Sequence, residues 1–451
     1  VRNTTRVLSI LLLAFLSVAA PSCASNSTAQ RETTMTEARR AEHVASFEYV
    51  WESIKQKHWD PDLNGVDWDQ AREDLLPIVE NAQSDAEARG AMNALLERLG
   101  QSHFGIIPGS AYEDLTEVAD TDLDSDTGSG EGWTGIDARL IDGEFLITRV
   151  HEGSPANRAK IEPGSIITAI EGRETARIID VVNAAGGIQR PETTAGMIVQ
   201  ARLAGSEGAT RDITIIGSDG DERTVTLTLD EAPGVLASFG ELPPTPVVIE
   251  SKTLEDGVGY FRFSIFLDPP RVLPAFQQFV KEHMDAPGII IDVRGNPGGI
   301  ILMAPGMINW LISEKGLSLG TMRMRDAQRG PFDIPLVFNP RRNAYQGKVA
   351  VLTDEMSVSN SEILAAGLKD IGRAKVYGTR TAGLVLPSTV ERLPNGDGFQ
   401  YAFASYETSG GYSLEGQGAI PDVEIRPTRE ELLMGRDPVL EAAESWILSD
   451  D

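Results

Sequence analysis

The chain has 451 residues, 41% of them hydrophobic and 24% charged, and a formal charge of −27 at pH 7. That length accommodates two or three separately cored domains, and the composition is that of a soluble globular protein. The acidity excludes nucleic acid or an anionic lipid surface as the main partner, because either would repel it.

In chain order, Arg2 and Arg6 precede an uncharged apolar run, Val7 to Ala20, that is shorter than a membrane span and leads into Pro21-Ser22-Cys23. This pattern predicts a secretory signal peptide over residues 1–22 and places the protein outside the cytoplasm, in the periplasm or at the cell surface. Cys23 is the only cysteine, so no internal disulfide can form. Its position resembles the lipidated cysteine of bacterial lipoproteins, which would anchor the protein to a membrane. The plain alternative is an ordinary cleavage site with an incidental thiol. Residues 23–40 are a polar tether, too poor in apolar side chains to fold.

From 41 to 112 the apolar residues recur at helical spacing: Phe47, Val50, Trp51 and Ile54, then Trp68, Ala71, Leu75, Leu76, Ile78 and Val79, then Met92, Leu95, Leu96 and Leu99. About three amphipathic helices are predicted, ending at Gly100 and followed by Gln101-Ser102-His103-Phe104-Gly105. An acidic, glycine-rich linker covers 113–131. From 132 to 235 the pattern changes to short strands and turns, including Gly153-Ser154-Pro155-Ala156 and Pro163-Gly164. This part resembles a PDZ domain, which implies addition of an extended peptide to a sheet edge, with the carboxylate-binding loop at Trp133-Thr134-Gly135-Ile136. Gly135 and Ile136 are the expected peptide-binding positions. A spacer or lid built on the same fold is the alternative.

Residues 250–449 alternate strands and helices in the α/β manner. Within them Gly288 to Val293 reads as a buried strand running into Arg294-Gly295-Asn296-Pro297-Gly298-Gly299, whose glycines permit the close backbone approach an oxyanion needs. Val349 to Leu352 is a second strand, followed by Met356-Ser357-Val358-Ser359-Asn360-Ser361-Glu362 and a helix. Ser359 therefore stands at a strand-to-helix junction, where a hydroxyl is aimed out of a sheet beside a helix N-terminus. With Glu362 three residues on, it is equally a capping box. Both readings remain open on local pattern.

The helical segment, the PDZ-like part, Asp292 to Gly299, Ser357 to Ile363, and Glu415-Gly416-Gln417-Gly418-Ala419-Ile420-Pro421-Asp422, in that order, resemble the C-terminal processing and tricorn family of serine peptidases. The resemblance implies a multidomain α+β protein with an N-terminal helical segment, a PDZ-like β-rich domain and a crotonase-like or ClpP-like α/β peptidase core. It implies a cofactor-independent hydrolase acting on peptides or unfolded proteins. In the processing branch a lysine activates the serine, but Leu384 stands at that position here, and leucine cannot take a proton. The tricorn branch instead has a Ser-His pair after the N-terminal helices, matched by Ser102-His103, and a glutamate matched by Glu415.

The resemblance thus implies Ser359 as nucleophile, His103 as general base, and Ser102 with Glu415 as orienting groups. Backbone N–H groups of Gly298, or its neighbour Gly299, and of Asn360 would form the oxyanion hole. Activity is expected to fall as His103 protonates at acidic pH. His43, His58, His151 and His283 read as structural, and Arg323, Arg325, Arg329, Arg341 and Arg342 as surface charges. No zinc-binding or phosphate-binding motif occurs, so no metal is expected. The competing function is a catalytically inactive relative that binds peptides or ligands through the same fold, which Leu384 makes credible.

Overall fold

The computed structural model describes residues 35–109, 132–185, 190–238, 245–326 and 329–450. The expected signal peptide, Cys23, most of the tether and the acidic linker lie outside the described residues. Among the described residues no helix is long and apolar enough to cross a membrane.

Three helices come first: α1 (Glu37–Lys57), α2 (Trp68–Glu80) and α3 (Asp85–Glu97). Each starts at a short polar residue whose side chain accepts from a free backbone N–H: Thr36 from Arg39, Asp67 from Gln70 and Ser84 from Glu87. Their apolar stripes share one core with Phe47, Val50, Ile54, Leu75, Val79, Met92 and Leu95. Ile78 departs from the sequence expectation and is 42% exposed. Val79, four residues after Leu75, takes the inward position and turns its neighbour outward. A short strand, β1 (Gly105–Ile107), follows.

The second unit is an antiparallel sheet in the order β2-β3-β4-β5-β6, made of β2 (Ile136–Ile141), β3 (Glu144–Val150), β4 (Ile166–Ile170), β5 (Thr210–Ile216) and β6 (Glu222–Thr228). Helix α4 (Pro191–Leu203) packs against β2, and Val199 joins Ile136, Ala138, Ile147 and Ile213 in its core. β2 is an edge strand, and two of its backbone groups are taken by a side chain. Gln200 Nε2 donates to Ile136 O at 2.7 Å, and Ala138 N–H donates to Gln200 Oε1 at 3.3 Å.

The third unit is a six-stranded sheet in the order β7-β8-β9-β10-β11-β14. β7 (Ile249–Thr253) is antiparallel to β8 (Gly259–Phe263), after which β9 (Gly288–Asp292), β10 (Lys348–Thr353), β11 (Lys375–Gly378) and β14 (Val423–Glu424) run parallel. All five residues of β9 are buried, as expected for a parallel strand covered on both faces. Helices α5 (Pro269–Glu282), α6 (Asn360–Asp370) and α7 (Pro438–Leu448) contribute to its layers. A side sheet of β12 (Ser388–Arg392) and β13 (Gly398–Ala402) accepts β1, with Ile106 opposite Phe399. That pairing brings the loop after the N-terminal helices onto the third unit.

The PDZ-like unit is tied to the third through a buried ion pair, Arg139 Nε to Asp354 Oδ2 at 2.7 Å. Asp354 Oδ1 in turn accepts from the backbone N–H groups of Gly295 and Met356. Arg262 and Asp137 add a second bridge at 3.0 Å. Arg139→Ala would leave Asp354 buried without its cation. We expect it to lower unfolding free energy by about 3–5 kcal/mol, read as a drop in the urea midpoint.

Candidate active site

The turn between β10 and α6 explains why three serines alternate there. Ser357 Oγ donates to Val293 O at 2.7 Å and Ser361 Oγ to Asn296 O at 2.9 Å. The Val358 N–H also donates to Asn296 O, at 3.0 Å. The outer serines thus stitch the turn to the glycine-rich loop, and Ser359 is the one between them. Its backbone has φ 58° and ψ −113°, a conformation that costs a non-glycine residue about 1–3 kcal/mol and recurs at active sites. Glu362 contributes one arm of the capping box, accepting from the Ser359 N–H at 2.8 Å. Cap and strained elbow are therefore one arrangement.

Gly298 has φ 93°, and a Cβ there would lie 2.7 Å from Ser359 Cβ and 2.9 Å from Asn360 N. Gly299 has φ 131°, and its Cβ would fall 2.2 Å from Phe266 O. Only glycine lets this loop lie against the serine turn. The Gly298 N–H departs from the expectation of a free oxyanion donor, because it donates to Asn296 Oδ1 at 2.9 Å. The backbone N–H groups of Gly299 and Asn360 have no acceptor among the described residues. Asn360 Nδ2 donates to Ile300 O at 2.8 Å, which holds the helix start to the same loop.

On the loop between α3 and β1, Ser102 N–H and Oγ donate to Glu415 Oε1 and Oε2 at 2.7 and 2.8 Å. Ser102 Oγ also lies 2.6 Å from His103 Nδ1. A hydroxyl has one proton. With that proton directed to Glu415, Ser102 Oγ must accept from Nδ1–H, so His103 Nε2 carries the lone pair. Nε2 is buried and has no hydrogen-bond partner. The other histidines differ: His43 bonds Asp85, His58 bonds Gln101 and Asp60 O, His151 bonds Asp137, and His283 bonds Thr253 and Phe279 O.

The expected hydrogen bond from Ser359 to Nε2 is not formed. Burial pushes the His103 pKa down to about 3. Burial thus shifts the expected acid limb below the ordinary imidazole value. Burial also raises Glu415, against the donors on its carboxylate.

The two limbs meet on three consecutive residues. The Val385 N–H donates to Glu415 Oε2 at 3.1 Å, while Gly383 and Leu384 N–H donate to Glu362 at 2.6 and 3.0 Å. A continuous chain of contacts thus runs from His103 through Ser102, Glu415, Gly383–Val385 and Glu362 to Ser359.

Residues 257–425 match peptidase family S41, residues 39–96 the tricorn protease C1 domain and residues 146–186 a PDZ domain. The chain thus carries an S41 peptidase domain, preceded by tricorn C1 and PDZ matches. It is 28% identical to the carboxyl-terminal-processing protease of Picosynechococcus over 81% of that protein and 83% of this chain. Carboxyl-terminal-processing peptidase 3, chloroplastic, of Arabidopsis thaliana is 26% identical over 83% of this chain and 67% of its own length. Tricorn protease homolog 2 of Streptomyces coelicolor is 26% identical over 89% of this chain, which spans only 32% of that relative. In fold, the chain is similar to mature CPAF (TM-score 0.61, 15% identity, 91% of this chain and 98% of that one). It is also similar to the photosystem II D1 C-terminal processing protease (TM-score 0.56, 20% identity, 92% and 98%).

Within the S41-matching domain, Leu384 donates its backbone N–H to Glu362. The nearby Lys375 ammonium lies over the Trp446 ring at 5.4 Å, and Arg323 pairs with Asp333 across a hairpin. At the PDZ-like edge, Gly135 O accepts from His151 N–H and Ile136 O from Gln200, so neither carbonyl is unpartnered. Sequence reasoning missed Gln200, Thr381 and the Arg139–Asp354 bridge, which carry no local pattern. Glu362 did carry a signal, the capping box, but only for its contact with Ser359.

Proposed function

We propose that this S41 peptidase is an exported endopeptidase that cleaves peptides or unfolded proteins with Ser359 as nucleophile and His103 as general base. The observation carrying the reading is the relay Glu415–Ser102–His103, which leaves a buried imidazole nitrogen with a lone pair and no partner. Ser359 Oγ attacks the scissile carbonyl carbon while its proton passes to His103 Nε2. The resulting oxyanion is received by the N–H groups of Asn360 and Gly299, each donor contributing about 3 kcal/mol, with the α6 dipole behind them. The proton then moves from Nε2 to the leaving amine as the C–N bond breaks. Water, deprotonated by the same nitrogen, hydrolyses the acyl ester and restores Ser359. Ser102 and Glu415 hold the tautomer. Export rests on the leader-like Val7–Ala20 run, with Cys23 as the site of a lipid anchor.

A fluorophosphonate probe tests this directly. Serine attack displaces fluoride and leaves a phosphonyl ester, which peptide mass spectrometry should locate on Ser359, alongside hydrolysis of unfolded casein. Ser359→Ala should show neither. A label on another residue, or no label and no hydrolysis, would move the protein to the non-catalytic peptide-binding reading.

A further inference from the structure

Glu362 is fully buried, and its carboxylate collects four donors. Oε2 accepts from Ser359 N–H (2.8 Å) and Leu384 N–H (3.0 Å), and Oε1 from Gly383 N–H (2.6 Å) and Thr381 Oγ1 (2.6 Å). Thr381 Oγ1 is itself held by the Ala419 N–H at 2.6 Å. A helix cap needs one such contact. Three of these four come from a segment about twenty residues on, the one whose next residue, Val385, donates to Glu415.

We propose that Glu362 is a positioning residue: as a carboxylate it clamps the strained Ser359 turn to the Thr381–Val385 segment, aligning nucleophile and base limbs, and its protonation releases the clamp. This rests on Ser359 being the nucleophile. An ionised carboxylate is acceptor-only and suits four donors, whereas a protonated one places a hydrogen among them. Burial holds the Glu362 pKa up at about 7 against those hydrogen bonds. The charged groups around it are Arg190, which interacts with it electrostatically, Arg380 on the bridging segment, Glu355 in the preceding turn and Glu415 beyond Val385. None forms an ion pair with it among the described residues. Its titration is therefore governed by burial and by the donors, and it falls in a range where His103 is already neutral.

The test is the rate of fluorophosphonate labelling at Ser359 between pH 5 and 9. In the wild type the rate should fall toward tenfold per pH unit below about pH 7, because only the ionised clamp aligns the site. Glu362→Gln turns an NH2 toward two of the donors. It should label at least about tenfold more slowly at pH 8 and lose the acid limb. Glu362→Asp, a conservative carboxylate, should recover a limb with a reduced plateau.

Hydrogen exchange on the wild type gives a measurement independent of any variant. Protection of the Ser359, Gly383 and Leu384 amides, corrected for intrinsic rates, should drop over the same pH interval as labelling. A Glu362→Gln variant with the wild-type limb, or amide protection that is constant across that interval, overturns the proposal. Absence of Ser359 labelling at every pH would instead overturn the nucleophile assignment.

Discussion

His103→Ala should reduce kcat/KM for peptide hydrolysis by at least about 10³-fold, with fluorophosphonate labelling falling alongside it. General-base removal costs about 10²–10⁴-fold, and nucleophile–base pairs act as a unit, so the upper part of that range applies. His103 has φ 65°, and alanine tolerates that region poorly, so the alanine variant also carries a backbone penalty. His103→Asn separates the two effects, because asparagine accepts positive φ more readily. Both variants should be inactive, with the asparagine variant unfolding at the higher urea concentration. Activity retained by either would remove the imidazole from the mechanism and leave the serine without a base, since Leu384 offers none.

Glu415→Gln should cost roughly 10⁴-fold in kcat while leaving the fold intact, for a reason visible in the proton count. Glu415 accepts from both the N–H and the Oγ–H of Ser102. A glutamine has one carbonyl oxygen, whereas fixed backbone N–H groups meet both carboxylate oxygens, Ser102 N–H on Oε1 and Val385 N–H on Oε2, so its NH2 opposes a backbone donor in either orientation. When the NH2 takes the Oε2 side, the Ser102 hydroxyl accepts from it and directs its own proton to His103 Nδ1. The imidazole is forced into the Nε2–H tautomer and cannot receive the serine proton. The analogous change of a triad carboxylate to its amide loses about 10⁴-fold through the wrong tautomer. Nitrogen-15 chemical shifts of His103 report the tautomer directly. A Glu415→Gln variant that keeps full kcat while His103 holds the Nε2–H tautomer would break the relay argument.

The fold was legible where burial imposes a pattern. The Ile289-Ile290-Ile291 run, the helical stripes from Phe47 to Leu99 and the glycines before Gly299 each announce their environment, because packing acts on neighbouring residues in a fixed period. The site was legible less evenly. Ser359 was visible as a junction residue, yet its unusual backbone was not, since φ at a non-glycine residue leaves no mark in the sequence. His103 and Glu415 stood out only through resemblance, as the contact joining their limb, Ser102 to Glu415, spans 313 positions. The His103 titration was misjudged because sequence supplies the ordinary imidazole value, while burial, which lowers it, is a property of the assembled fold. The choice between Gly298 and Gly299 stayed open for a related reason: the acceptor of the Gly298 N–H, Asn296, is two residues away and could as well have pointed elsewhere.

Gln200 changes what an incoming strand at the PDZ-like edge would have to do. Its amide already plays the part of a neighbouring strand, giving one hydrogen bond to Ile136 O and taking one from Ala138 N–H. A peptide adding to β2 would displace that amide to water, so its first two main-chain bonds would be an exchange and not an addition. Backbone pairing would then contribute little to affinity, and discrimination would fall to the side chains the peptide seats beside α4. An edge closed in this way is also shielded from indiscriminate strand pairing, the usual hazard of an open sheet.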